Sequence, residues 1–264
     1  MFYYILAFSF GLVIGSFLNV CIYRLPIEKS IVSPLSSCPH CHSFIRPWDN
    51  IPVLSYIILW GKCRNCKESI SLRYPLIELL NALLYVFTLY KFQATPHSIF
   101  YMAFLSALII IIFIDFDHMI IPDVITIPGA IAGVIAASFI LPDVFNPALR
   151  LGFVNSLIGL GVGFGIFYTI AFLGEKILKK EAMGGGDIKM MAMTGAVLGW
   201  KAVLLATFAG SFIGSVYGIS VIIVKGRDWQ SKIPFGPFLA IGTLISLYFG
   251  RELLFLYLNA GRIF

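Results

Sequence analysis

The stretch FQATPHSIFYMAFLSALIIIIFI, residues 92–114, carries no charged side chain and is followed at once by Asp115. It is longer than the ~20 residues a helix needs to cross a ~30 Å hydrocarbon core. Its apolar positions are continuous rather than alternating, so strands are not expected here. Working outward, comparable runs cover residues 1–23, 124–141, 151–174, 202–224 and 233–250. Residues 79–90 become long enough if the helix starts at Leu76 and tolerates Glu78 near its end. Residues 190–200 are too short alone. The stretch 188–224 therefore reads as one long broken helix, or as two spans divided near Gly199-Trp200-Lys201 or near Gly210. We expect seven or eight helices, preferring eight, in an all-α polytopic transmembrane bundle.

Composition agrees with that reading. Of 264 residues, 59% are hydrophobic and only 12% charged, too few to cover a soluble globule of this size. The basic residues also sort by loop. Arg24, Lys29, Arg46, Lys62, Arg64, Lys67 and Arg73 fall in the segment 24–75. Lys176, Lys179, Lys180 and Lys189 fall around 175–189, and Lys225, Arg227 and Lys232 around 225–233. The opposite side receives Lys91, Arg150, Lys201, Arg251 and Arg262. Positive charge stays inside, so the N-terminus is expected outside and these three loops in the cytoplasm. The first run lacks a basic region before it and reads as a retained helix rather than a removed signal. The net charge of +6 then points to anionic headgroups of the phospholipid bilayer as partner, and to no nucleic acid.

The long polar segment contains Cys38-Pro-His-Cys41 and Cys63-Arg-Asn-Cys66. Paired CxxC turns present four thiolates, the donor set of a structural tetrahedral Zn²⁺ site with no position open for catalysis. A reducing compartment argues against disulfides; redox or unmetallated thiols are the alternative. His40 and His42 are expected to face solvent, and Cys21 to pack within the first helix.

Acids are scarce, 13 in all, and four lie against apolar runs: Asp115, Asp117 and Asp123 in FIDFDHMIIPD, and Asp187 in MGGGD. An ionised Asp at mid-bilayer costs about 2.5–3.5 kcal/mol even on the mildest scale, so such a cluster wants a reason. Asp123 beside Pro122 reads most simply as a helix terminator. Asp115 and Asp187 both fall on the inner side of this topology and can meet in one plane. Two carboxylates that share a proton can activate water against a peptide carbonyl. The same acids could instead hold a cation or line an ion path. Residue chemistry alone leaves both readings open.

Together the motifs resemble the bacterial type IV prepilin leader peptidases, GxGD-type membrane aspartic proteases that also serve type II secretion. The resemblance runs through Gly15-Ser-Phe-Leu-Asn19 to Arg24-Leu-Pro26, the CxxC loop, and Arg73-Tyr-Pro75-Leu-Ile-Glu78. It continues through Asp115 to Pro122-Asp123, Glu181-Ala-Met-Gly184-Gly-Gly186-Asp187-Ile-Lys189, and Ile233-Pro-Phe-Gly-Pro237. The resemblance implies that Asp115 and Asp187 are the catalytic pair of an aspartic endopeptidase. Asp117, Asp123, Glu181, Lys189, Gly184 and Gly186 are then expected to shape the site, with Pro234, Gly236 and Pro237 at the substrate groove. Cys38, Cys41, Cys63 and Cys66 would hold the zinc.

The implied substrates are type IV prepilins and pseudopilins, cut between a basic leader that stays inside and a hydrophobic helix. The implied second activity is N-methylation of the new terminus with S-adenosylmethionine. The resemblance places it in the N-terminal part; no Gly-rich motif specifies its binding residues, and Gly15, Asn19, Arg24 and the 24–75 loop are candidates. The implied location is the bacterial inner membrane, with the aspartates on the cytoplasmic side. The corresponding division is a first helix at 1–23, a zinc-binding domain at 24–75, a second helix and outer loop at 76–97, and a six-helix protease domain at 98–264. A membrane carrier or metal-ion transporter is the competing function.

Overall fold

The computed structural model describes residues 1–179, 183–225 and 233–260, which form two compact units, Met1–Ile114 and Asp115–Phe264. In the first, α1 (Phe2–Arg24) packs along α3 (Arg73–Phe92). The contact is made by Gly11 and Gly15, one turn apart. A Cβ at either would lie 2.6 Å from a backbone Cα of α3, at Ala82 and Glu78 respectively. Apolar solvation gives helices no reason to associate inside a bilayer, so close backbone approach and buried hydrogen bonds must hold them. Here Asn81 Nδ2 donates to the Gly11 carbonyl at 2.8 Å, and Asn19 Nδ2 donates to those of Gly15 and Tyr74 at 3.3 and 3.2 Å. Asn81 Oδ1 accepts from Ser106 Oγ at 2.9 Å, which ties in α4 (Pro96–His118).

The polar loop between α1 and α3 holds short 3-10 turns and one short helix, α2 (Leu54–Ile58). Glu78 fastens this loop. Its Oε2 accepts the Val53 N–H at 2.7 Å, with Val53 held at φ +60°. A β-branched residue seldom enters that region, and such strain costs about 1–3 kcal/mol. The acid that interrupted the second apolar run is thus a buried acceptor, only 8% exposed.

The second unit contains α5 (Asp123–Phe139), α6 (Gly152–Leu178), α7 (Gly185–Leu198), α8 (Trp200–Lys225) and α9 (Gly236–Ala260). At its centre α7 is buried from Met190 to Leu198 on every face. It fits there because Gly195 and Gly159 of α6 meet backbone to backbone, as do Gly163 and Met191, while Gly133 of α5 receives Val197. No Cβ could be added at these contacts without displacing a helix.

Among the described residues, six helices, α1, α3, α4, α6, α8 and α9, are long and apolar enough to cross a membrane. The other two apolar helices expected from the sequence, α5 and α7, are shorter, at 17 and 14 residues. Of the two breaks considered in 188–224, the chain uses Gly199, at φ +82° between α7 and α8; Gly210 lies within α8. The link between two of these helices adds a feature the apolar runs did not show. A two-stranded hairpin, β1 (Pro142–Asp143) with β2 (Asn146–Arg150), joins α5 to α6. Asp143 Oδ1 accepts the Phe145 N–H at 2.8 Å and closes its turn, a local side-chain bond that the apolar patterning does not report.

Candidate active site and metal-binding loop

Asp115 lies in the last turn of α4 and Asp187 in the first turn of α7, both within the second unit. The two carboxylates line one cavity of about 250 Å³ and interact electrostatically. They are 6% and 9% exposed, so bulk water does not solvate them. The backbone compensates each at a helix N-terminus, where N–H groups lack intrahelical acceptors and the macrodipole favours negative charge.

Asp187 is the third residue of α7. Its side chain accepts the N–H of Gly184, the N-cap, while its own N–H donates to the Gly184 carbonyl at 3.2 Å. The side-chain bond is the half of a capping box that the N3 acid supplies, here by Asp, while glycine as N-cap contributes only its carbonyl. One oxygen, Asp187 Oδ1, is buried with no hydrogen-bond partner. An orphaned carboxylate oxygen in a polar cavity is a position prepared for a water or a substrate group. Asp115 accepts the backbone N–H of Gly236, the first residue of α9.

Space requires glycine at Gly236 and at Gly186. A Cβ on Gly236 would stand 2.6 Å from Asp115 Oδ2 and 2.9 Å from Ile121 Cδ1, and one on Gly186 would stand 2.7 Å from Ile121 Cβ. Ile121 therefore wedges between the helix ends that carry or support the two acids. Sequence reasoning did not single it out. It sits inside the quoted FIDFDHMIIPD motif, but only the contact with two distant glycines marks it. Met119, Ile120 and Ile121 form the apolar wall, and Gly184, Gly185 and Gly186 the backbone floor.

The other expected residues fall into two groups. Asp123 and Lys189 form an ion pair at 2.6 Å that links the first turn of α5 to the second turn of α7. Pro234 precedes α9, and Pro237 occupies its first turn, where a missing N–H costs no helical hydrogen bond. Asp117 is exposed and is not part of the cavity lining. Glu181 lies outside the described residues.

In the first unit, Cys38, Cys41, Cys63 and Cys66 bring four sulfurs within 4.8 Å of one another. The two CxxC turns share one geometry. Each returns the N–H of the residue after its second cysteine, His42 or Lys67, to the carbonyl of the first, at 2.9 and 3.0 Å. Those two residues have φ +55° and +61°. The Cys38 and Cys66 sulfurs are 3.8 Å apart. Tetrahedral zinc with ~2.3 Å bonds to sulfur requires about 3.8 Å between sulfurs, so the cluster fits such an ion. Arg64, inside the second turn, grips Asp49 with two hydrogen bonds, Nε to Oδ2 at 2.8 Å and Nη2 to Oδ1 at 2.6 Å. That guanidinium holds the Asp49 carboxyl below the usual carboxylate range. His40 and His42 are exposed, and Cys21 is buried in α1.

Comparison with known proteins completes the description. Residues 9–92 match the Bacterial Peptidase A24 N-terminal domain, and residues 102–219 match the Type IV leader peptidase family. A Pseudomonas aeruginosa protein is 34% identical over 272 residues, covering 94% of this chain and 91% of its own. An Aeromonas hydrophila protein is 35% identical over 284 residues, covering 97% and 94%. A Myxococcus xanthus protein is 40% identical over 220 residues, and this chain spans 83% of itself but only 63% of that relative. All three are named prepilin leader peptidase/N-methyltransferase. No solved structure matches the chain significantly. The chain belongs to the type IV leader peptidase family.

Proposed function

We propose that this member of the family is a multi-pass inner-membrane aspartic endopeptidase that removes the leader of type IV prepilins or pseudopilins, and that it N-methylates the new terminus. The observation that carries the first activity is the shared cavity: Asp115 and Asp187, from separate helices, both buried, with one Asp187 oxygen unpartnered. In the proposed reaction one aspartate is protonated and the other ionised. The ionised carboxylate takes a proton from water as the water oxygen bonds to the scissile carbonyl carbon. The protonated carboxyl gives its proton to the carbonyl oxygen. Collapse of this tetrahedral species breaks the C–N bond: the leaving nitrogen collects the proton from the first carboxyl, and one hydroxyl returns its proton to the second carboxylate, restoring the pair. No metal is needed at this step.

The glycine floor leaves backbone accessible beside the acids, which suits an extended peptide rather than a helix. The apolar wall suits the hydrophobic start of a pilin helix. Orientation follows from the basic loops: the N-terminus outside, the aspartates toward the cytoplasm, where a basic leader remains. Cys38, Cys41, Cys63 and Cys66 would hold a structural Zn²⁺ that folds the loop. S-adenosylmethionine supplies an electrophilic methyl group when bound. A carrier or ion-transport reading has no comparable support, because the relatives' names describe cleavage and methylation.

The test is cleavage of a purified prepilin, read by product mass. Asp115→Asn and Asp187→Asn each lower kcat at least a thousandfold with elution and thermal unfolding unchanged, whereas Asp117→Asn retains cleavage. Full activity in either of the first two variants overturns the dyad.

A further inference from the structure

Within the loop that joins α1 to α3, the segment Ile51-Pro-Val-Leu-Ser-Tyr-Ile-Ile-Leu-Trp60 carries no charge. An apolar stretch of that length is too short to span a bilayer and suits either a buried core or a re-entrant position in the membrane. A buried core does not describe it. Leu54, Ile57 and Ile58, at i, i+3 and i+4 of α2, share one face and are 56%, 62% and 67% exposed, and Trp60 is 88% exposed. A contiguous apolar face of this kind marks a contact surface.

The attachments of the segment lie below the ends of the spans. Arg24 and Arg73 are the charges at which α1 and α3 leave the hydrocarbon. The Val53 N–H, just before α2, donates to Glu78, five residues or about 7.5 Å into α3 from Arg73. Glu78 also accepts from the Ser16 hydroxyl, eight residues or about 12 Å back along α1 from Arg24. Across a cavity of about 480 Å³, Asn50, Ile51 and Pro52 face Val13, Ser16 and Phe17. Val13 and Phe17 are themselves exposed on the flank of a span, so the chain has dipped to a level where lipid is the surrounding solvent.

Backbone groups at that level must find partners inside the segment, and they do. The N–H of Ser55 donates to the Ile51 carbonyl, Ile57 to Val53, Leu59 to Ser55, Trp60 to Ile57 and Gly61 to Tyr56, all at 2.8 to 3.1 Å. The Ser55 hydroxyl is also turned inward, onto the Ile51 carbonyl. At either end an aromatic and a basic residue stand two positions apart, Arg46 with Trp48 and Trp60 with Lys62, the composition of a membrane–water boundary.

We propose that residues 51–60 are a re-entrant segment embedded in the leaflet at the Arg24–Arg73 end of the unit, with the Leu54, Ile57 and Ile58 face against acyl chains. The embedding requires only that α1 and α3 span the bilayer and is independent of both activities. It tethers the four-cysteine cluster to the headgroup surface, since Cys63 follows Trp60 by three residues.

The experiment uses the full chain with Trp60 as its sole tryptophan (Trp48→Phe, Trp200→Phe, Trp229→Phe) in vesicles of phosphatidylethanolamine and phosphatidylglycerol. Acyl chains brominated near the carbonyl quench Trp60 emission at least twofold, chains brominated near the methyl end less, and aqueous iodide little. In the otherwise native chain, Ile58→p-benzoylphenylalanine gives lipid adducts on irradiation, whereas Asn65→p-benzoylphenylalanine, in the second CxxC turn, gives none. Quenching by iodide without quenching by lipid puts the segment in water and overturns the proposal. An adduct from position 58 to a second copy of the chain or to added prepilin, in place of lipid, assigns the face to that partner and overturns it too. Equal lipid adducts from positions 58 and 65 reflect mere proximity to the membrane and likewise overturn the embedding.

Discussion

A carboxylate in an apolar bundle must find partners that do not quench it, and here each acid receives one backbone N–H. Asp187 takes it from its own N-cap and Asp115 from the first residue of α9. At Gly236 the approach leaves no room for a Cβ, which would meet Asp115 Oδ2 at 2.6 Å, whereas one at Gly184 would lie 3.5 Å from Asp187 Oδ2. Gly236→Ala is therefore expected to lower kcat/KM for cleavage at least tenfold, about 1.4 kcal/mol of transition-state stabilisation. Gly186→Ala should do likewise by striking Ile121. Because the closest clash is with the Ile121 Cβ at 2.7 Å, Ile121→Gly in that background restores part of the loss, as a double-mutant cycle in kcat/KM would show. The acids and glycines were legible in the sequence as short motifs. Ile121 was not, since its importance comes from two glycines brought to it by other helices, and neither was the Asp123–Lys189 pair, though both residues had been marked.

Helices were the most legible scale, because charges punctuate apolar runs that are long enough to measure. The α7–α8 break at Gly199 was among the two positions considered; the choice against Gly210 came from packing, as Gly210 abuts the backbone of Phe238 and Leu239 within α8·α9. The β1–β2 hairpin and α2 escaped notice because each is too short to show a period. The α1–α3 pair makes a direct prediction. Gly11→Leu or Gly15→Leu forces the helices apart and costs about 1–3 kcal/mol, measured as a lower midpoint of thermal unfolding in detergent. The four-cysteine loop makes another. A fitted tetrahedral ion contributes folding free energy to such a loop. Cys38→Ser or Cys63→Ser should reduce bound zinc from one per chain to none by elemental analysis, and strong chelation should render residues 24–72 sensitive to protease. Unchanged zinc in both variants would refute the four-thiolate site.

At the scale of the whole molecule, charge asymmetry makes the orientation testable. In inverted vesicles, protease added outside trims the loop before α3, while intact cells protect it; the reverse pattern overturns the cytoplasmic assignment. Six helices can span the bilayer unaided, but α7 is only 14 residues long, about 21 Å at the usual rise, and has no lipid-facing side. That last feature sets a rule for access. With its flanks sealed from Met190 to Leu198 among the described residues, α7 presents Asp187 to the cavity beside the glycines at its head. Asp187 itself lies within the first helical turn of α7, beside the glycine floor. A peptide bond carried deeper by an apolar segment passes out of reach, so the depth of that floor works as a ruler. A nearly all-hydrophobic substrate could then be cut once, at its boundary, and otherwise left whole.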